Sequence, residues 1–378
     1  MPRGWRQRFC RALTGTTHLL FNWGVLLALV AGILVLRHHA EARPREPLPA
    51  PRAHLSAVQA REWQAFPSYH KVVPVLLYHG NDSANGGLSI RRQVFAQQML
   101  ALETAGFHAI TLDQYLEYVK GSSRGLPSRP VLITIDSGHL GTYRAVNNIL
   151  RQYGFHAAVF ISAAWPATNP GANLTWNELQ NMQESGTWSV QEQGGRDHSH
   201  VIYKPAGNRG DVYAFHRYAG SPPGQDQPGF FRVFAARTIG SVLWGEHRFA
   251  AHIPVYRPVA FAILEASRGQ QQANDPRVPR LVLSWLRQHF RIVFGGDYLD
   301  RGLNWPHKVR ARFSRTLAYR ISVTSRTSLP ILDCRLKDWV TRSPIWMEYR
   351  CLRPGTAWRG PRTWGSIPAA GRPEVARY

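Results

Sequence analysis

The sequence predicts an α/β fold: a parallel sheet closing into a β/α barrel, preceded by one membrane-crossing helix. Two observations carry the barrel. From residue 72 to residue 294, short apolar runs rich in β-branched residues alternate with longer stretches of helical periodicity. The helical stretches end at glycines and begin at capping residues, at lengths suited to βαβ units. A third observation carries the membrane helix: residues 19–36 are apolar apart from the uncharged Asn22, and four arginines (Arg3, Arg6, Arg8 and Arg11) precede them.

At about 1.5 Å per residue, the run from Leu19 to Leu36 reaches roughly the thickness of a bilayer core. The arginines place residues 1–18 in the cytoplasm and everything after the span outside it. A cleaved signal peptide is the rival, with Ala40-Glu41-Ala42 as its cleavage site and secretion as its consequence. The run is long for a signal core, and Arg37-His38-His39 follows it directly, which favours an uncleaved anchor. Residues 37–70 form a linker, in which prolines at 44, 47, 49 and 51 favour an extended spacer.

The main domain is expected over 71–338. Val72–Tyr78 is its first buried strand, followed by a helix capped by Ser89 and stopped by Gly106. Residues 108–112 (HAITL) read as a short strand, and Asp113 opens the next helix, which ends at Gly121. Strands PVLITI (130–135) and HAAVFI (156–161) flank a helix that carries Val146, Ile149 and Leu150 on one side. Thr175 and Glu178 have capping-box spacing before a helix closed by Gly186, and strand TWSVQ (187–191) follows. VAFAI (259–263), a helix over 281–290 and RIVF (291–294) continue the rhythm. A doubly wound open sheet is the alternative closure. No GxGxxG follows the first strand, so a dinucleotide site has no support. Residues 339–378, rich in Arg and Pro, read as an irregular tail.

The chain has 378 residues, a formal net charge of +23 and three cysteines. A hydrophobic fraction of 44% excludes wholesale disorder, and three cysteines exclude a disulfide scaffold. The charge admits an anionic partner such as teichoic acid or lipid headgroups. It is almost all arginine, a skew typical of GC-rich coding, and no basic block interleaved with aromatics suggests nucleic acid. Beyond the span, Cys334 and Cys351 share a compartment that permits a disulfide, whereas Cys10 lies on the other side.

Active-site groups of parallel α/β folds gather at the carboxyl ends of strands. That rule selects His79, Asp136, Glu192, Gln193, Glu265 and Asp297, with Asp197, His198 and His200 just beyond the fifth strand. A lone acid after a strand is commonly a helix cap, and a lone histidine is commonly packed. Their recurrence at one rim is what points to a site. Asp and His together suit metal-assisted or base-assisted hydrolysis.

PVLLYHG (74–80), QQMLALETAGFHAITLDQY (97–115), RPVLITIDSG (129–138), YGFHAAVFI (153–161) and TWNELQNMQESGTWSVQ (175–191) resemble the polysaccharide deacetylases of the NodB-homology type. YRPVAFA (256–262) and residues 274–294 extend the resemblance, which covers roughly 70–335. It implies a distorted β/α barrel that removes acetyl groups from a cell-wall or matrix polysaccharide. It also implies a divalent metal, commonly zinc, whose bound water attacks the acetyl carbonyl. Asp136 matches the general base. Ser137 and Gln193 stand where the family carries an aspartate and a histidine as metal ligands, and His198 matches the second histidine. His200 is a substitute ligand, and His79, Glu192 and Glu265 are rim positions facing substrate. No Leu-x-His motif for the late leaving-group histidine is evident, although His289 and His307 are available. The resemblance therefore implies either a deacetylase or a catalytically impaired relative that binds glycan without turnover.

Overall fold

The computed structural model describes residues 47–68, 72–80, 91–136, 138–168, 171–195, 200–202, 209–211, 230–263, 277–297, 317–323 and 327–341. Seven parallel strands form a ring: β1 (Val75–His79), β3 (Pro130–Asp136), β4 (Ala157–Ile161), β5 (Trp188–Glu192), β8 (Ala260–Ala262), β9 (Ile292–Asp297) and β10 (Leu317–Val323). The two-residue strand β2 (His108–Ala109) pairs with the start of β3. β1 pairs with β10 on one side and with β3 on the other, so the order returns to its start and the open-sheet alternative does not hold. The barrel is nearly closed; its thinnest seam is β5–β8, joined by the single pair Glu192↔Phe261. A separate antiparallel pair, β6 (His200–Ile202) and β7 (Arg209–Asp211), stands outside the ring.

The helices are α1 (Ala57–Gln64), α2 (Arg92–Thr104), α3 (Leu112–Lys120), α4 (Leu140–Gln152), α5 (Trp176–Glu184), α6 (Phe230–His252), α7 (Arg277–His289) and α8 (Leu329–Thr341). Strand parity divides the core. Val75, Leu132, Phe160, Ala262 and Phe294 fill the barrel interior. Their alternates Leu76, Ile133, Ile135, Val159 and Val190 face outward, in one cluster with Met99 of α2 and Val146 and Leu150 of α4. Phe261 and Val293 face Val242 of α6 and Leu286 of α7. Each such aliphatic side chain contributes about 1.5–3 kcal/mol when fully buried.

Several boundaries depart from the sequence expectation, among them the three that follow. HAITL yields strand only at His108–Ala109, because Thr111 turns the chain into α3. The Thr111 hydroxyl accepts from Gln114 N, and the Gln114 side chain accepts from Thr111 N, completing a capping box. β5 runs one residue beyond TWSVQ, through Glu192. α2 starts after Arg91, which makes no side-chain cap, and Ser89 lies outside the described residues. Thr175 and Glu178 do form the expected box at the start of α5. Among the described residues no helix is long and apolar enough to cross a membrane; residues 19–36 are not among them.

The α5 box is directly testable. Thr175→Ala removes the acceptor for Glu178 N and is expected to lower stability by ~1 kcal/mol, read as a shift in the urea midpoint with unchanged slope.

Candidate active site

His79 and Asp136 close β1 and β3 and are direct neighbours in register. Both follow the interior parity set by Val75 and Leu132, so they stand together at the carboxyl end of the barrel. One pair lower, the Thr134 hydroxyl donates to Leu76 O at 2.7 Å and ties the two strands beneath them.

Asp136 meets a partner that the sequence expectation did not include. Arg320, on β10, donates from its two terminal nitrogens to the two carboxylate oxygens of Asp136, at 2.5 and 2.8 Å. Its Nε donates to Gly295 O at 2.8 Å, and its guanidinium carbon lies 5.8 Å from the centre of the Phe160 ring. The side chains are 0% and 1% exposed, respectively. Removing two ions from water costs several kcal/mol each, which only excellent geometry and further hydrogen bonds offset. A planar fork on both oxygens, with the third nitrogen satisfied by a carbonyl, meets that requirement. The sequence did carry a signal: in LAYRISV, at 317–323, a lone arginine interrupts an apolar run, and a buried charge requires an opposite one.

β5 contributes through glutamines. The Gln191 carbonyl oxygen accepts from Val259 N at 3.2 Å and Ala260 N at 3.0 Å, and its amide nitrogen donates to Arg257 O at 3.3 Å. One side chain thus replaces the backbone ladder that β5 and β8 lack. Gln193 shares that interior parity, is fully buried, and donates its backbone N–H to Ile161 O at 3.0 Å. Beyond it, Gly194 O accepts from Ala163 N at 3.0 Å and Gly195 O accepts from the Ser162 hydroxyl at 2.8 Å. A Cβ on Gly195 would lie 1.8 Å from Ser241 O of α6, so only glycine permits this approach.

Glu192 corrects the rim expectation. With odd-numbered neighbours inside the barrel, it faces outward beneath α6, where a Cβ on Gly245 would lie 2.0 Å from its Oε1. Among the described residues neither of its carboxylate oxygens has a hydrogen-bond partner. Burial first, and the charge of Glu246 second, push its carboxyl well above the ordinary value of 4.5. Glu192 faces the helix layer and not the barrel interior. His289 is likewise spent elsewhere: its Nε2 lies 2.8 Å from Glu246 Oε2, and its ring stacks on Trp285. His200 sits on β6, away from the ring strands, while Ser137, His198, Glu265 and His307 lie outside the described residues.

The donor set can be tested against a divalent metal. Among the described residues no three His, Cys, Asp or Glu side chains converge. Asp136 presents both oxygens to a guanidinium, and Gln193 offers a neutral amide in place of an imidazole or carboxylate. The described residues do not fit a metal centre, and no step is derived through one.

Comparison with known proteins agrees with the fold and with the resemblance. Residues 123–213, from the approach to β3 through β7, match the family model of polysaccharide deacetylase. A de-N-acetylase from Aggregatibacter actinomycetemcomitans has the same fold, with a TM-score of 0.51 and 16% identity over 68% of this chain and 96% of that one. The deacetylase domain of BpsB from Bordetella bronchiseptica gives a TM-score of 0.52 and 20% identity over 68% of this chain and 97% of that one. No curated protein matches the chain.

Two measurements check the site. Arg320→Met strands the Asp136 charge and is expected to cost ~3–5 kcal/mol in chemical denaturation. Asp136→Leu combined with Arg320→Met should recover most of that loss, because no charge is then left unpaired. For Glu192, a folded-state pKa raised above the unfolded value means that its contribution to stability is fully present below about 4.5 and declines as pH rises toward the folded value. Glu192→Gln should flatten that decline, seen in thermal midpoints collected across the acid-to-neutral range.

Proposed function

We propose that this chain is a polysaccharide deacetylase that works outside the cytoplasmic membrane, releasing acetyl groups from a cell-wall or exopolysaccharide glycan. The observation that carries the reading is Asp136: a carboxylate at the carboxyl end of β3, inside the barrel, within the segment that matches the polysaccharide deacetylase model. The apolar run 19–36 is proposed to anchor the chain, with its arginine-rich end in the cytoplasm.

The chemistry proposed uses the residues this chain retains. An ionised carboxylate has about four lone-pair directions, and the Arg320 fork occupies two of them. The remaining pair can take a proton from water as its oxygen adds to the acetyl carbonyl. Collapse of the adduct breaks the carbonyl–nitrogen bond; the sugar amine leaves with that proton, and acetate is released. Arg320 holds Asp136 fixed in direction. His79 is next to it in register at the same rim.

A second reading, recognition of the glycan without turnover, is favoured by one observation: the Asp136 side chain is 1% exposed, so water reaches it only if the mouth opens. Acetate release decides between the two. The full chain incubated with acetylated glucosamine oligomers should release acetate, and Asp136→Asn should abolish the release without abolishing oligomer binding. Binding with no acetate from the parent chain would leave the recognition reading in its place, and neither binding nor release would sink both. Elemental analysis of the same sample tests the site further: stoichiometric zinc would mean that residues outside the described set complete a donor set that the described residues lack.

A further inference from the structure

Helix α2 follows β1, and α8 follows β10. The two strands are paired neighbours in the parallel ring, so both helices start on the side of its carboxyl rim. Between the first turns of α2 and the start of α8, with α1 alongside, lies a cavity of ≈ 290 Å³. Thr327, on its wall, stands four residues past Val323, which is level with Tyr78, the residue before His79. Four residues span at most about 15 Å, so this wall stands close to the rim that carries His79 and Asp136.

The wall holds an acceptor that the described residues leave unused. Gln98 is 1% exposed and donates through Nε2 to Thr327 O at 2.9 Å. Its Oε1 is buried and has no hydrogen-bond partner among the described residues. A buried carbonyl in that condition is costly until something donates to it. Gln59 lines the same cavity; its Oε1 accepts from Ser56 N in the capping box of α1, which leaves its amide N–H groups as donors. Gln97 and the Ser328 hydroxyl add groups that both donate and accept. Val94, Leu329 and Pro330 supply apolar wall. No lining residue is charged, and Pro330 removes one N–H from the first turn of α8, so the helix start is poorly made for an anion.

We propose that this cavity binds one neutral pyranose unit of a glycan, as a subsite apart from Asp136. A sugar hydroxyl donates and accepts at once, which suits the Gln98 carbonyl beside amide and hydroxyl groups. The C–H edges of the ring suit Val94, Leu329 and Pro330. The volume stands at the small end of ligand pockets, which fits a single ring. That the bound unit belongs to the polymer being deacetylated rests on the function proposed above; the binding itself does not. Filled together with the mouth, the subsite makes a long chain bind more tightly than a short one, because the second contact is then intramolecular.

Hydrogen exchange on the full chain, with and without N-acetylglucosamine hexamer, reads the site. Amides over 91–98 and 327–332 should exchange more slowly with the hexamer present. Gln98→Met removes the unused acceptor and should weaken hexamer binding by ~3–10-fold. Gln98 is buried, so a second variant avoids the packed core: Gln97→Ala with Ser328→Ala changes a half-buried and an exposed position. It should weaken binding by about 10-fold with an unchanged thermal midpoint. Failure of the hexamer to bind, binding without protection at either segment, or undiminished binding by the paired variant would overturn the subsite. Protection of these segments by inorganic phosphate in place of the hexamer would overturn its neutral character. Acetate release without protection here sinks the subsite alone; protection here without acetate release sinks turnover alone.

Discussion

The Arg320–Asp136 pair is the constraint on which the barrel mouth depends. Asp136 closes the third strand and Arg320 sits on the last ring strand, 184 residues apart in sequence. β1 lies between them, so the fork spans one strand and holds its two flanking neighbours at a fixed spacing. The pair is fully buried, with its hydrogen bonds aimed at both oxygens and at Gly295 O. A buried pair of this kind adds little net stability over an apolar replacement. What it adds is direction: a charge can lie at the carboxyl end of β3 only if the last ring strand is in register to meet it. Registry of the ring and chemistry of the mouth are therefore the same requirement.

The opposite side of the ring solves the converse problem with neutral groups. β5 and β8 share one ladder pair, and Gln191 supplies from its side chain the acceptor and donor that the backbone does not. Just above, the Gly194–Gly195 turn is held by Ala163 N and the Ser162 hydroxyl, and Ser241 O presses on Gly195. Glu192 is held beneath Gly245, one helical turn along α6. Gln193 thus sits between the Gln191 seam and the Gly194–Gly195 turn that Ser241 of α6 meets.

Much of the fold was legible because it rests on periodicity. Strands β1, β3, β4, β5, β8 and β9 are apolar runs whose two faces are both buried, and such runs stand out. The capping boxes at Thr111 and Thr175 are local, although the first ended a strand that alternation alone would have continued. β10 was not legible. Its interior positions include Arg320, and a charged residue there breaks the apolar signal that marks a strand. The site was legible to the same degree. His79 and Asp136 lie where the carboxyl-end rule puts them, but the partner of Asp136 could not be named without knowing which strand closes the ring. Glu192 was misplaced for a sharper reason: the rule selects the end of a strand, whereas parity decides the face. One residue separates Glu192 from two interior glutamines, and that step turns a rim carboxylate into a buried acid beneath a helix.

These placements bear on what chemistry the barrel mouth can support. In a metal-centred site the cation neutralises its carboxylates and polarises the carbonyl together. Here a guanidinium performs the first task, with three of its five N–H groups given to Asp136 and Gly295 O. It therefore orients Asp136. The division of labour among the strands follows from the geometry: β3 supplies the carboxylate and β10 fixes its direction. Phe160, level with Asp136 in the β3–β4 register, lies against the Arg320 guanidinium and so helps to seat the fork.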